Sequence, residues 1–397
     1  MNTVSPNRRS RTICLISCLA MLVVGAPYVT VAEGKQDSPR NALDLQKARN
    51  ETVQAFTQKK FYDPAELKLD DLPVYSPDEH VSGVIRIWGS DMFGGKDFKE
   101  GFERGFQRHH PGVSFGYNLG GPSLAVSGLT VGACDVGVAR RVSWELLLAF
   151  QRLHNYDPLE VTGMTGWGVN PAFVVAVHRT NPVTQLTMAQ LDGIYGAART
   201  GGWVGTTWHP EHARGPEKNL RRWGQLGLAG GWAERPIHVY GYNLRFMYGP
   251  RFSDDVLQGS DQWNENLRQY AQVAGPDGRL LNSDQQMADD LAKDPSGIAY
   301  WSYGRATNPD IKLIAIEAKE GAPAYAATIE NIRDHSYPLF DRMFFYLDCK
   351  PGQLLPPLLR EFMRYVLSRD VQALVATDTT MLPLTAEMIQ TERRKLD

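Results

Sequence analysis

Apolar and polar positions change period repeatedly between residues 84 and 141, and each change marks an element. Val84-Ile85-Arg86-Ile87-Trp88 is a short β-type run that stops at Gly89-Ser90-Asp91-Met92-Phe93-Gly94-Gly95. Phe98, Phe102 and Phe106 then recur at helical spacing, which predicts a helix from Lys96 to Arg108. The unit repeats. Val113-Ser114-Phe115-Gly116-Tyr117 reads as a strand, Gly120-Gly121-Pro122-Ser123 as a turn, and the run through Leu124 and Leu129 as a short helix. Asp135-Val136-Gly137-Val138-Ala139 closes the series on Arg140-Arg141. Three strands thus end at Gly-rich or Arg-bearing turns, which right-handed crossovers gather at the carboxyl edge of an open parallel sheet.

Further along, Val161 to Val177 is a long apolar stretch able to cross between two lobes, and Met343-Phe344-Phe345-Tyr346-Leu347 is a second that can return. Leu186-Thr187 starts a helix whose Met188, Leu191, Ile194 and Tyr195 share one face. Pro236 to Gly241 reads as strand then turn, and the segment after it brings Arg245, Tyr248, Gly249 and Arg251 to a second loop of the same kind. Met287 to Leu291 reads as helix, Gly297 to Gly304 as strand and turn, and Lys312 to Ile316 as one strand. A single C-terminal helix is expected to use Leu358, Phe362, Tyr365, Val366 and Leu374 as its apolar side. Residues 33–80 are polar and read as an extension. Residues 198–232, with Trp203, Trp208, Trp223 and Trp232, read as a long loop or insertion.

Composition narrows the class. The 397 residues are 43% hydrophobic and 22% charged, enough for a large core across two domains. The net charge of −2 gives no support for nucleic-acid or anionic-membrane partners. Residues 1–32 have the form of a secretory signal: Arg8, Arg9 and Arg11, an apolar run from Ile13 to Val24, then small residues at Gly25-Ala26 and Val31-Ala32. Export to the periplasm or cell exterior is expected. Leu15-Ile16-Ser17-Cys18 also has the outline of a lipid-attachment box, which leaves anchoring through Cys18 open. Beyond the leader only Cys134 and Cys349 remain, either as one optional bridge or as two separate thiols.

The candidate chemistry is anion binding. Loops at Ser90 and Ser123 would present backbone N–H groups at helix starts, where the helix dipole favours negative charge, and Arg140 and Arg141 arrive beside them. His209-Pro210-Glu211-His212 invites a metal reading but has no third ligand in view and sits in loop-like sequence, so no metal and no cofactor are assigned. Catalysis is not expected either. Gly121-Pro122-Ser123-Leu124-Ala125 fails the last position of a nucleophile elbow, and neither a phosphate-binding loop with Lys nor a His-Glu-x-x-His run occurs.

In order along the chain stand Gly89-Ser90, His110-Pro111-Gly112-Val113, Gly120-Gly121-Pro122-Ser123, Asp135 to Arg140, Asn181-Pro182, Gln190-Leu191 with Ile194-Tyr195-Gly196, Gly297-Ile298-Ala299-Tyr300, Ala327-Thr328-Ile329 with Tyr337-Pro338-Leu339, and Phe362 to Ser368 before Leu382-Pro383-Leu384. With that succession, residues 83–385 resemble the phosphate-type (PstS-like) substrate-binding proteins of ABC transporters. The resemblance implies an α/β, two-lobed, type II periplasmic binding protein fold: two Rossmann-like lobes joined by two crossing strands. Lobe 1 would comprise 81–170 and 340–397, and lobe 2 would comprise 171–339. It also implies a monomer that closes on phosphate or a related small anion and meets a permease. By position, its ligand loops fall on Ser90, Asp91 and Met92, on Gly121 and Ser123, on Arg140, and on Arg245 with Tyr248 and Gly249. The chain departs from the phosphate pattern in three ways. Asp91 stands where Thr or Ser is usual, Arg140 stands where some members have Asp, and the fourth loop lacks both hydroxyls of Ser-Gly-Thr, leaving Tyr248 as substitute and Pro250 without a backbone donor. Another oxyanion, a phosphorylated or carboxylated small molecule, or an exported interaction protein without a tight ligand are the alternatives.

Overall fold

β1 (Gly83–Gly89), α1 (Lys96–Gln107), β2 (Val113–Asn118), α2 (Ser123–Thr130), β3 (Val136–Ala139), α3 (Trp144–His154) and β4 (Leu159–Thr165) alternate as the periodicity requires. The computed structural model describes residues 61–397 apart from 92, 94, 95, 167–169, 246 and 275–279. The leader, Cys18 and the first part of the extension lie outside the described residues. The chain then forms β5 (Phe173–His178), α4 (Met188–Tyr195), a hairpin of β6 (Gly202–Val204) and β7 (Thr207–His209), β8 (His238–Tyr242), α5 (Tyr248–Val256), β9 (Arg268–Tyr270), α6 (Ser283–Leu291), β10 (Gly297–Ser302) and β11 (Ile311–Leu313). It finishes with β12 (Arg342–Leu347), α7 (Pro357–Val366), α8 (Arg369–Asp378) and α9 (Ala386–Arg393).

Two five-stranded sheets result, in the orders β2-β1-β3-β12-β4 and β9-β8-β10-β5-β11. β12 runs antiparallel to β3 and β4, and β5 antiparallel to β10 and β11, because each arrives from the other lobe. The two crossings lie side by side. The Gly166 amide donates to the Asp341 carbonyl (2.7 Å), the Asp341 amide to Pro171 (2.8 Å) and the Phe173 amide to Leu339 (2.9 Å). Under the first sheet, Phe98, Phe102 and Phe106 of α1 are wholly buried, with Phe102 and Phe106 edge-on to Phe362 of α7. Burying such side chains contributes roughly 1.5–3 kcal/mol each and fixes the edge on which the loops sit.

Four local expectations change. Lys312 to Ile316 is two strands, since β11 joins the second sheet while Ala315–Glu317 pairs with Gln185–Thr187. Period-two alternation does not say which neighbour a strand will find. The C-terminal helix breaks after Val366, where the Ser368 hydroxyl donates to the Tyr365 carbonyl (2.7 Å) and Gln372 Nε2 to Val366 (3.1 Å). The described end of the extension is docked rather than peripheral. Leu72 and Tyr75 are buried, and the Tyr75 hydroxyl, which donates to Glu361 (2.8 Å), also lies 2.7 Å from His110 Nε2. Two apolar anchors among polar residues are too sparse to register as a periodic pattern. The insertion carries the β6–β7 hairpin and folds around Trp223, which is buried and donates to the Ser296 carbonyl (3.0 Å). Thr187 and Gln190 form the capping box that starts α4. Both Cys134 and Cys349 are free thiols.

Candidate functional site

At the carboxyl edge of the first sheet the predicted loops are tied to one another. The Ser90 amide donates to the Val138 carbonyl (2.7 Å), and the Gly121 amide to the Gly89 carbonyl (2.9 Å). Gly89 has φ +137, and a Cβ there would lie 2.0 Å from the Val138 oxygen, so the close approach of β1 and β3 demands glycine. This corrects one expectation. The amide of Ser90 is consumed inside the protein rather than offered to a ligand, because the parallel ladder continues one residue past β1, and that of Gly121 is bonded to Gly89 at the end of β1. Ser123, exposed at the first position of α2, has an amide that meets no acceptor among the described residues. Asp91 is exposed, and Met92 lies outside the described residues.

Arg140 leaves the end of β3 and faces α5 of the other lobe. Burial holds it below the ordinary arginine range, Arg251 pushes the same way, and Asp341, Asp254 and Tyr248 oppose. Tyr248, buried at the start of α5, packs against Tyr242 (4.9 Å between ring centres) and Phe173 (5.9 Å). Gly249 is buried, and a Cβ there would come within 3.0 Å of the Leu244 backbone. Arg245 is exposed, its amide bonded to Asn243 Oδ1 (3.0 Å). Arg140 and Tyr248 are therefore brought together, while Arg245 and Asp91 stay at the surface.

Sequence reasoning brought Arg251 to the second loop but named none of its partners. Arg251 sits one turn beyond Tyr248 on α5 and is buried. It pairs with Asp255, reaches Asp341 on the returning crossing (3.2 Å), and donates to the Phe340 carbonyl (2.9 Å). Burial works against its charge, but Asp255 and Asp341 outweigh that and hold it above the usual range. Burial and Asp255 push Asp254 up to about 6, against the pull of Arg251, Arg141 and Arg140. A second cluster stands behind Tyr248. The Tyr242 hydroxyl donates to Asp284, the Ser302 amide donates to the Tyr242 oxygen (2.9 Å), and Arg305 lies 3.5 Å from Asp284. The one visible signal was the Arg251–Asp255 spacing of four within the fourth loop.

The insertion contributes a second contact between lobes. Trp203 of β6 stacks on Trp144 of α3 with ring centres 4.4 Å apart and planes 2° from parallel. Next to it, the Thr206 hydroxyl donates to Asp157 (3.3 Å). Together they bound a cavity of about 310 Å³ whose lining includes Arg141, Trp144, Glu160, Trp203 and Asp254.

A family model described as "PBP superfamily domain" matches residues 168–370. The phosphate-binding protein PstS of Pseudomonas aeruginosa, from strains PAO1 and UCBPP-PA14, is 27% identical over 327 residues, covering 82% of this chain and 90% of that protein. The crystal structure of PstS from Borrelia burgdorferi superposes with a TM-score of 0.50 at 14% identity, covering 77% of this chain and all of that one, a likeness of fold.

Proposed function

The chain belongs to the PBP superfamily, and from that premise we propose that it is an exported solute-binding protein for an ABC transporter. It captures an oxyanion, inorganic phosphate first, between its lobes, and the closed form engages a permease. The observation that carries this reading is the convergence of Arg140 from lobe 1 with Tyr248, Arg251 and Asp254 from α5 beside the two crossings. Guanidinium groups of both lobes meeting in a desolvated cleft strengthen charged hydrogen bonds to an oxyanion bound there. The relatives called PstS support phosphate as that anion.

The proposed ligand set is Arg140, Tyr248 and the first turn of α2 at Ser123. Ser90, Gly121 and Gly249 shape the backbone around it. In this reading donors come from both lobes, so the closed form satisfies the anion most fully and ligand shifts the population toward it.

Phosphate added at ~100 times its dissociation constant should stabilise the protein by about 2.7 kcal/mol, read as a rise in Tm. Arg140→Ala should weaken phosphate binding about tenfold to a hundredfold by calorimetry, the worth of a charged hydrogen bond, with far-UV circular dichroism unchanged. Absence of any thermal shift with phosphate, sulfate or arsenate would refute the reading. The cavity beside Trp203 favours one second reading, a larger phosphorylated molecule whose body lies there. A phosphate monoester binding more tightly than phosphate would select it.

A further inference from the structure

We propose that His209, Glu211 and His212 form a binding site for a divalent transition-metal ion of the zinc type. The expectation from sequence was that this run lacked a third ligand. The turn supplies one from within the run, because one ligand atom from each of the three residues lies within 4.8 Å of the others. Around a tetrahedral zinc with bonds of about 2.1 Å, ligand atoms stand ~3.4 Å apart, so the trio has to draw together by at most about an ångström and a half.

The backbone that carries the trio is held on three sides. His209 ends β7 and pairs with Gly202 across the hairpin. Pro210 opens the 3-10 turn Pro210–His212, which the Ala213 amide closes by donating to the Pro210 carbonyl (3.0 Å). The His212 carbonyl accepts from Arg199 Nε (2.8 Å), and that guanidinium is itself fixed by a fork of two bonds to Asp192 (2.6 and 2.7 Å). Ligands on a moored turn lose little freedom when a cation draws them in.

The side chains of the trio lie against one another on the turn. The two imidazoles stack with centres 5.2 Å apart and planes 20° from parallel. His209 Nδ1 lies 2.6 Å from Glu211 Oε1, so two of the three ligand atoms already face each other. Nδ1 of His212 is closed to solvent and has no hydrogen-bond partner among the described residues. Two imidazoles and one carboxylate suit Zn²⁺, Ni²⁺ or Cu²⁺ rather than the all-oxygen preference of Ca²⁺ or Mg²⁺, and a three-ligand set leaves a coordination position for water or a partner's side chain.

The test uses the untagged full-length mature protein, freed of metal with chelator and held in phosphate-free buffer. Zn²⁺ is titrated by calorimetry against a competing chromogenic chelator. One saturable equivalent is expected, and His209→Ala and His212→Ala should each weaken it at least about tenfold, since even outer partners of a metal site cost roughly 10–100-fold. Glu211→Gln should give a smaller loss. Paramagnetic Cu²⁺ should quench the fluorescence contributed by Trp208, the residue preceding His209, so Trp208→Phe should remove most of the quenching. Circular dichroism confirms that each variant is folded. Failure to saturate with Zn²⁺, or binding unchanged in both histidine variants, would overturn the proposal. In the second case the ion binds elsewhere on the protein. Neither result bears on phosphate binding, which is measured without metal.

Discussion

Asp254 decides how much positive charge the cleft shows at neutral pH. Burial and Asp255 raise its carboxyl to about 6, so at pH 7 most molecules carry the negative charge next to Arg140 and Arg141. Asp254→Asn should therefore tighten anion binding at pH 7.5, by about tenfold if the removed repulsion is worth ~1.4 kcal/mol. Below pH 6 the native side chain is itself neutral, so the difference between variant and native protein should shrink. Calorimetry with sulfate, which does not titrate in this range, separates this effect from the ligand's own protonation. An affinity gain that persists unchanged at pH 5 would sink the assignment. From sequence Arg140 was expected beside the Gly-rich loops because it directly follows the third β-run, and the structure turns it toward α5. Ser90 and Gly121 were legible as loop positions only; the use of their amides depended on bonds to β3 and β1 that no local pattern encodes.

At the level of elements, α5 and the β6–β7 hairpin do most to couple the lobes. α5 is anchored at the crossing through Arg251 and Asp341, while the hairpin reaches lobe 1 through Trp203 on Trp144. The stack is planar and close, and aromatic pairs of this kind are worth about 0.5–1.5 kcal/mol beyond the area they cover. Trp203→Ala should therefore speed ligand release roughly 2- to 12-fold in stopped-flow measurements, with a smaller effect on association. Trp144→Ala should match it, and the double variant should add little, since both remove one contact. Additive losses in the double variant would show that the rings do not act as a pair. The hairpin itself was hidden in sequence. Its strands are three residues each, below the length at which alternation can be told from a loop rich in Trp and Gly.

For the whole molecule, the crossing region sets the response to acid. His335 stacks on Phe340 with ring centres 3.8 Å apart, and its Nε2 lies 2.8 Å from the Thr165 hydroxyl, so it spans both crossings. Burial, with Arg342 adding to it and Asp334 opposing, lowers its pKa from 6.5 to about 3. The unfolded chain therefore takes up a proton near pH 6.5 that the folded chain refuses until about pH 3, and stability falls as pH drops through that window. The loss should reach at most about 1.4 kcal/mol per pH unit in urea midpoints between pH 6.5 and 4.5. His335→Asn, which tolerates the positive φ of 64 at this position, should flatten the slope, and an equal slope in both proteins would remove His335 as the cause. Hydrophobic period and loop chemistry alone determined the repeated strand-to-helix units, the two apolar crossings and the edge on which the Gly-rich loops gather. Those features depend on side-chain order within ten or so residues. Only the tertiary structure decided the partners of Arg251, the consumption of the Ser90 amide, the meeting of Trp144 with Trp203, and the closing of His209, Glu211 and His212 into a trio. Each of these is set by what a side chain finds across a sheet, a cleft or a turn, and electrostatic and packing energies at such contacts depend on distance in space, which the order of residues does not carry.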